Sequence, residues 1–371
     1  MRVLLAGTAG SGGWPQPGCQ CASCSRARRA GRSRAPAQVI ADGVLRIGAG
    51  HAPGDSRPAA AGYRVQSVPG GWDVTGPDGA RLLVADGSGQ PADPPAGTTP
   101  YDALLLDLLA SPAQLGALRR RGLAAAGSVT ALLHADHRVR SERELGLRCE
   151  FWDVMAPRDG DVLTASPAAR SASPQEAQEA QDHVPRSRRV LVLGGARSGK
   201  SRHAELRLAA EPRVTYLAAG PYPAGVLPAD DPDWAERVAA HRARRPAWWR
   251  TVESIDAAGV LRSESGAILF DGAGTWLAAV MQQSGAWAGD AACEPARARI
   301  ATSVDELVLA FRQTRARAVV AVSDEVGSSV HPATGAGRLF RDQLGWLNQR
   351  LAAESEEAVL MVAGRALSLP G

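Results

Sequence analysis

Short apolar runs alternate with longer amphipathic stretches along the second half of the chain. Runs rich in Val, Ile and Leu predict five strands, at residues 190–193, 214–218, 267–270, 318–322 and 358–363. Apolar positions at helical spacing predict helices at residues 201–210, 233–244, 275–281, 303–314 and 337–355. Apolar strands that alternate with helices are typical of a parallel sheet covered on both faces, with ligands at the carboxyl ends of the strands. This half is therefore predicted to be an α/β domain.

The first half of the chain has fewer such elements and more turns. An apolar run predicts a buried strand at residues 1–6. Residues 166–187 are dominated by Ala, Ser, Pro, Gln and Glu, a composition that cannot bury a hydrophobic core. We therefore predict two domains, residues 1–165 and 188–371, joined by a linker at 166–187, and the length of 371 residues agrees with two domains.

Charge and composition narrow the functional classes. The chain carries 42 basic and 38 acidic residues, and the two signs are interspersed, so we expect no nucleic-acid interface. No run of 18 apolar residues predicts a membrane span, and the glycines within residues 7–13 interrupt any signal-peptide core. These features predict a soluble, cytoplasmic protein.

One segment, which begins at Gly194 and ends at Ser201, matches the phosphate-loop pattern G-x-x-x-x-G-K-[ST]. Backbone N–H groups of such a loop point at phosphate oxygens, and the helix that follows adds its positive end. Lys200 is the only lysine among the 42 basic residues, which indicates a specific need for a compact ammonium group. We expect Lys200 to neutralise nucleotide phosphates and Ser201 to bind Mg²⁺. The predicted nucleotide-binding residues of the loop are Gly194, Gly195, Ala196, Arg197, Ser198, Gly199, Lys200 and Ser201.

Two further side chains are candidates for the chemistry. Asp271 directly follows a predicted strand, and a carboxylate at that position in a phosphate-loop protein binds Mg²⁺ directly or through water. The alternative for Asp271 is an N-cap of the next helix. His241 lies among arginines in a predicted helix, where its imidazole could attack the α-phosphorus of a nucleoside triphosphate. Periodicity alone favours a surface helix with an incidental histidine.

The first half contains a candidate metal site. Three of the five cysteines form the pattern C-x-C-x₂-C, at Cys19, Cys21 and Cys24. Three thiolates at this spacing suit one Zn²⁺, which requires four ligands in a tetrahedron, and His134 or His137 could supply the fourth. The alternative is three reduced cysteines on a loop.

The Gly-Thr-Ala-Gly-Ser turn at residues 7–11, followed by these cysteines, resembles the metallo-β-lactamase superfamily, in particular its cyclic-phosphodiesterase-like branch. The runs 81–86, 101–107 and 129–137 are similar to later strands of that fold. The hydrolytic chemistry of the superfamily requires an H-x-H-x-D-H motif, which this sequence lacks. The resemblance therefore implies a shortened, degenerate metallo-β-lactamase-like α/β domain that is non-hydrolytic and has a zinc-binding or assembly role.

The residues GGARSGKSRHAE at 194–205 resemble the opening of the bifunctional adenosylcobinamide kinase/adenosylcobinamide-phosphate guanylyltransferase family. Four later stretches agree in the same order, namely TYLA at 215–218, HRARRPAWWRTVE at 241–253, EVG at 325–327 and FRDQLGWLNQRLA at 340–352. The resemblance implies a P-loop NTPase-type parallel sheet with helices on both faces and a homo-oligomer. The implied substrates are ATP, GTP, adenosylcobinamide and its phosphate.

The same resemblance implies roles for individual residues. The histidine at the position of His241 carries GMP during guanylyl transfer, whereas the phosphate loop, Mg²⁺ and Asp271 serve the kinase step. Glu253 lies in a matching stretch and is expected to contact the nucleotide. The sequence departs from the family pattern at Asp324, where Asn is usual, at residues 330–333 and at Pro232. Two alternatives therefore stay open: a P-loop kinase of another small alcohol without nucleotidyl transfer, and a nucleotide-binding regulatory protein with decayed transferase activity.

Overall fold

The structure is a computed structural model that describes residues 1–48, 62–167, 188–220, 239, 242–287, 294–328 and 331–370. It divides into two compact units, one formed by Met1–Asp182 with Ala209–Pro212 and the other by His183–Leu208 with Arg213–Gly371. Both units mix strands and helices, so the chain is an α/β protein as predicted. The predicted linker lies almost wholly outside the described residues, and the predicted domain boundaries stay a prediction.

The first unit contains two sheets. Its elements are β1 (Arg2–Gly7), α1 (Ala22–Arg29), β2 (Gln38–Ala41), β3 (Leu45–Gly48), β4 (Arg64–Val68), β5 (Gly71–Thr75), β6 (Arg81–Ala85), β7 (Tyr101–Leu106), α2 (Ala113–Arg120), β8 (Ala124–Leu132), α3 (Glu142–Trp152) and β9 (Val162–Thr164). One sheet has the order β3-β2-β1-β9 and is antiparallel throughout. The other has the order β4-β5-β6-β7-β8, in which β6, β7 and β8 are mutually parallel.

The two sheets of the first unit bury a common hydrophobic core. Leu5 and Ile47 of one sheet share this core with Leu82 and Leu105 of the other, and all four are almost fully buried. The four predicted strands of this half correspond to β1, β6, β7 and β8. The helix α2 provides the crossover that two adjacent parallel strands, β7 and β8, require.

The second unit is built around a single seven-stranded sheet. Its elements are β10 (Arg188–Gly194), α4 (Lys200–Leu208), β11 (Val214–Ala218), β12 (Arg250–Glu253), α5 (Ala257–Ser263), β13 (Ala267–Asp271), α6 (Ala273–Gln283), α7 (Glu294–Gln313), β14 (Ala318–Asp324), α8 (Gly335–Ala353), β15 (Glu357–Val362) and β16 (Arg365–Leu369). The strand order is β12-β11-β13-β14-β10-β15-β16, and only β16 runs antiparallel to its neighbour.

Both faces of the central strands of this sheet are buried. Leu191 and Phe270 lie in a core with α5, α6, α7 and α8, whereas Val192 and Leu269 lie in a core with α4 on the other face. This two-sided burial explains why the strands read as continuous apolar runs rather than as alternating ones. All five predicted strands of this half are present. The predicted helix at 233–244 lies mostly outside the described residues.

The register of the sheet places the candidate residues at one edge. Gly194 at the end of β10 pairs with Asp324 at the end of β14, and Asp271 at the end of β13 pairs with Val322. The carboxyl ends of these three neighbouring strands therefore meet at the loop that precedes α4. No helix in the described part of the chain is long and apolar enough to cross a membrane.

Candidate nucleotide site and cysteine–histidine cluster

The phosphate loop is tightly folded between β10 and α4. Arg197 and Gly199 have positive φ angles of 56° and 96°, a conformation that glycine adopts most readily. A Cβ atom added to Gly194 would lie 2.5 Å from Ser198 Oγ and 2.9 Å from the carbonyl oxygen of Met361 in β15. The space at Gly194 therefore admits no side chain, and this explains on steric grounds why the first position of the motif is a glycine.

Backbone hydrogen bonds attach this loop to its surroundings. The N–H of Gly364, in the turn between β15 and β16, donates to the carbonyl of Ser198 at 2.9 Å. The N–H of Glu325, just after β14, donates to the carbonyl of Gly194 at 3.2 Å. The loop is thus held from both neighbouring strands, β15 and β14.

Asp271 lies at the end of β13, where its two carboxylate oxygens meet two hydroxyl groups. Ser201 Oγ donates to Oδ1 at 3.4 Å, and Tyr216 Oη donates to Oδ2 at 3.1 Å. Burial raises the pKa of Tyr216, and the charge of Asp271 adds to this rise, so the phenol stays a protonated donor. The N-cap of α6 is Gly272, so Asp271 does not have the capping role that the sequence left open.

These oxygen ligands fit a magnesium site. Mg²⁺ prefers one or two carboxylates or hydroxyls, together with water and the phosphates of a substrate. The hydroxyl of Ser201 and the carboxylate of Asp271 come from different elements, α4 and β13, and lie within hydrogen-bonding distance of each other. The two side chains would therefore be available to one cation.

Lys200 makes an ion pair that the sequence motif does not predict. Its Nζ lies 2.8 Å from Asp324 Oδ1 and donates to the carbonyl of Gly195 at 3.2 Å. The side chain of Lys200 is 16% exposed and that of Asp324 is 42% exposed. Asp324, where the sequence departs from the family pattern, therefore contacts the lysine of the phosphate loop directly.

His241 and Pro232 lie outside the described residues, but the arginines after His241 are described. Arg244 forms two hydrogen bonds with the carboxylate of Glu205 in α4, at 3.0 and 3.1 Å. Hydrogen bonding to Glu205 raises the pKa of Arg244. The Arg244 guanidinium therefore stays charged close to the first turns of the helix that follows the phosphate loop.

The two neighbouring arginines contact β11 and the edge strand β12. The guanidinium of Arg245 lies 3.7 Å above the centroid of the Tyr216 ring, at a distance where a cation–π interaction is favourable. Arg242 NH2 lies 3.1 Å from Glu253 Oε1, so Glu253, a predicted nucleotide contact, forms a surface ion pair in this structure. The segment that follows position 241 is thus attached to the same side of the sheet as Asp271.

The second half of the chain is similar in sequence to known proteins of one family. The family described as cobinamide kinase / cobinamide phosphate guanyltransferase matches residues 190–369. The bifunctional adenosylcobalamin biosynthesis protein CobP of Pseudomonas aeruginosa is 37% identical over 189 residues, which cover 98% of that protein and 49% of this chain. The chain belongs to this family. Bifunctional adenosylcobalamin biosynthesis proteins named CobU, from Salmonella typhimurium and Escherichia coli, are 36% and 34% identical over 96% of their lengths and 47% of this chain.

The family match covers most of the second unit, including its phosphate loop. Sequence reasoning assigned no role to Tyr216 or Glu205, although both lie in stretches that resemble the cobinamide kinase / cobinamide phosphate guanyltransferase family. A tyrosine in a buried apolar strand is a usable signal, because its hydroxyl needs a partner when buried. The metallo-β-lactamase-like character of the first unit is outside this match and stays a prediction.

The predicted zinc ligands of the first unit lie together. The ligand atoms of Cys19, Cys21, Cys24 and His137 are all within 4.8 Å of one another. His137 Nδ1 lies 3.7 Å from Cys19 Sγ and 3.6 Å from Cys24 Sγ. Zn–S and Zn–N bonds of about 2.3 and 2.0 Å place tetrahedral ligand atoms about 3.5–3.8 Å apart, so the two distances from His137 and the chemistry of the four donors fit Zn²⁺.

Two local features arrange this cluster. Cys21 is the N-cap of α1, and its Sγ accepts a hydrogen bond from the N–H of Cys24 at 3.4 Å. Of the two histidines considered from sequence, His134 instead places Nε2 3.0 Å from the carbonyl oxygen of Ala85. Burial raises the pKa of the Cys24 thiol to about 11, so metal binding would have to displace its proton.

Proposed function

We propose that residues 188–371 carry out two successive reactions of cobalamin biosynthesis. The first is phosphorylation of adenosylcobinamide by ATP or GTP, and the second is transfer of GMP from GTP to adenosylcobinamide phosphate, which gives adenosylcobinamide-GDP. The observation that carries this proposal is the meeting of Lys200, Ser201 and Asp271 at one sheet edge, in a chain that matches nearly the whole length of bifunctional relatives.

In the kinase step, the backbone of residues 194–199 would surround the phosphates of the nucleotide, and Lys200 would neutralise their charge. Ser201 and Asp271 are the residues that would hold Mg²⁺, which supplies neutralisation of the charge that develops on the transferred phosphoryl group. Tyr216 fixes the orientation of the Asp271 carboxylate through its hydrogen bond. The hydroxyl of adenosylcobinamide would attack the γ-phosphorus and lose its proton to solvent, a new P–O bond would form, and the bond to the bridging oxygen would break with release of the nucleoside diphosphate.

In the guanylyl step, we assign the nucleophile to His241. A ring nitrogen attacks the α-phosphorus of GTP, a P–N bond forms, and the bond to the bridging oxygen breaks with release of pyrophosphate. A phosphate oxygen of adenosylcobinamide phosphate then attacks the same phosphorus, and the P–N bond breaks to release the histidine. Two displacements, each with a positioned nucleophile, replace one direct reaction between two anions. The Arg244 and Arg245 side chains, held by Glu205 and Tyr216, provide fixed positive charge on this side of the sheet, and Glu253 is proposed as a further nucleotide contact.

The test uses GTP labelled at the α-phosphate, mixed with the full chain and Mg²⁺. We expect an acid-labile, base-stable label on the native protein and none on His241→Ala. The matched control is His331→Ala, which removes an exposed histidine of the same unit whose Nδ1 contacts Arg341. If adenosylcobinamide is phosphorylated but no label is found on the protein, the chain is a kinase without nucleotidyl transfer. If GTP binds but neither reaction occurs, the result favours a regulatory nucleotide-binding protein.

For the first unit, we propose a zinc-binding, non-hydrolytic module of metallo-β-lactamase-like ancestry. The support is the set of three thiols and one imidazole whose ligand atoms all lie within 4.8 Å of one another, in a sequence without H-x-H-x-D-H. Zn²⁺ bound there would join the loop that carries Cys19 to the segment that carries His137, which are more than 100 residues apart along the chain. Such a closed four-ligand site stabilises a fold and leaves no position open for a substrate.

The setting of the reactions is proposed from the family. We infer that the chain acts in the cytoplasm as a homo-oligomer that binds GTP, ATP, adenosylcobinamide and adenosylcobinamide phosphate. The interspersed acidic and basic residues support the further proposal that it does not act on nucleic acid.

A further inference from the structure

We propose that Asp324 makes nucleotide binding at the phosphate loop depend on a divalent cation, because it holds Lys200 in an ion pair that the phosphates must break. The inference rests on the proposed binding of nucleotide by Lys200. In this structure, Lys200 Nζ lies 2.8 Å from Asp324 Oδ1, and its second polar contact is the carbonyl oxygen of Gly195 at 3.2 Å. Both partners of the lysine are therefore oxygen acceptors that an incoming phosphate must replace.

The backbone of Asp324 is held next to the phosphate loop. Asp324 is the last residue of β14 and pairs directly with Gly194, the first residue of the loop motif. Asn348 Nδ2, from α8, donates to the Asp324 carbonyl at 3.0 Å. A Cβ atom at Gly274 would lie 3.0 Å from Asp324 Oδ2, so the start of α6 leaves just enough room for the carboxylate. The negative charge is thus kept beside the phosphate loop.

This charge opposes nucleotide binding unless a cation accompanies the phosphates. When phosphate oxygens bind Lys200, the Asp324 carboxylate loses its partner and faces the negative charge of the phosphates. Water screens part of this repulsion, because the Asp324 side chain is 42% exposed, but the Lys200 side chain beside it is only 16% exposed, so the repulsion is not fully screened. A divalent cation held by Ser201 and Asp271 would neutralise part of the phosphate charge and so weaken the repulsion. The neutral amide of an asparagine would create no such requirement.

The test measures the affinity of the full chain for GDP by calorimetry, once with EDTA and once with excess Mg²⁺. In EDTA, we expect Asp324→Asn to bind GDP roughly tenfold more tightly than the native chain, as removal of one like charge worth about 1.4 kcal/mol gives. In Mg²⁺, we expect the two affinities to agree within about threefold. Asp324→Glu keeps the charge and should keep the native dependence on Mg²⁺.

The matched control is Asp305→Asn, which removes the same charge from α7, where Asp305 pairs with Arg350 at 2.6 Å. It should bind GDP as the native chain does under both conditions. Asp324→Ala also removes the charge and gives a second measurement of the same effect. Equal affinity of the native chain and both neutral variants in EDTA would overturn the inference and leave the nucleotide site intact. Failure of the native chain to bind GDP under either condition would overturn both this inference and the proposed function.

Discussion

Gly194 is the position of the phosphate loop where one added methyl group should cost most. In Gly194→Ala the new Cβ would lie 2.5 Å from Ser198 Oγ and 2.9 Å from the Met361 carbonyl oxygen. The Ser198 side chain can rotate, but the Met361 carbonyl belongs to β15 next to β10 in the sheet. Forced packing of this kind typically costs about 1–3 kcal/mol. If the phosphate loop shifts to relieve the contact while β15 stays in place, that cost reduces the affinity for nucleotide by about 5- to 150-fold.

The assay is calorimetric titration of Gly194→Ala with GDP in the presence of Mg²⁺, accompanied by a thermal melt. Gly195→Ala is the matched control within the loop, because a Cβ atom there meets nothing within 4 Å. Gly345→Ala tests the same change inside α8, where the Cβ is also unobstructed and alanine favours the helix by up to about 1 kcal/mol. We expect a large loss of affinity in the first variant and near-native folding in both controls.

The reasoning fails if Gly194→Ala binds GDP with native affinity and melts at the native temperature. That result would mean that the loop can move away from β15 without cost. A loss of affinity in Gly195→Ala as large as in Gly194→Ala would also contradict the steric argument, because the two positions differ in the space around them.

Two further predictions concern metal and pH. Cys24→Ser should abolish stoichiometric zinc, measured by mass spectrometry of the purified chain, and should lower its melting temperature; Cys149→Ser, which changes a buried cysteine outside the cluster, should keep the metal. Zinc retained by Cys24→Ser would contradict the site. Burial opposes ionisation of Glu357, but the hydrogen bonds and charge of Arg207 lower its pKa below the ordinary value of 4.5. This stabilisation is present above that value and is lost as the pH falls through the lowered pKa. The free energy of unfolding, measured by urea titration, should therefore fall more steeply below pH 4.5 in the native chain than in Glu357→Gln. Equal slopes in the two chains would refute this prediction.

The strands that sequence reasoning found are those that the sheet buries on both faces. β10, β13 and β14 read as continuous apolar runs because α4 covers one side and α5 to α8 cover the other. The two edge strands of the second unit, β12 and β16, were not predicted. Every residue of β16 is exposed, and β12 has one partly buried residue, so neither carries the apolar signal on which the prediction depended.

The phosphate loop could be predicted because its residues are contiguous, but its partners could not. Lys200 contacts Asp324 and Ser201 contacts Asp271 because β14 lies next to β10 and β13 lies next to β14. No local pattern encodes strand order. The same limit applied to the metal cluster, where the spacing of the cysteines was readable but the choice of His137 over His134 depended on how the loop after β8 turns.

The contact between Gly364 and Ser198 has a consequence for how the protein is made. The phosphate loop follows β10, yet one of the hydrogen bonds that hold it comes from the turn between β15 and β16, about 165 residues later in synthesis. A growing chain on the ribosome therefore presents the loop sequence long before the strand that supports it has emerged. The hydrogen bond from Gly364 to Ser198 can form only after the hairpin of β15 and β16 has joined the sheet.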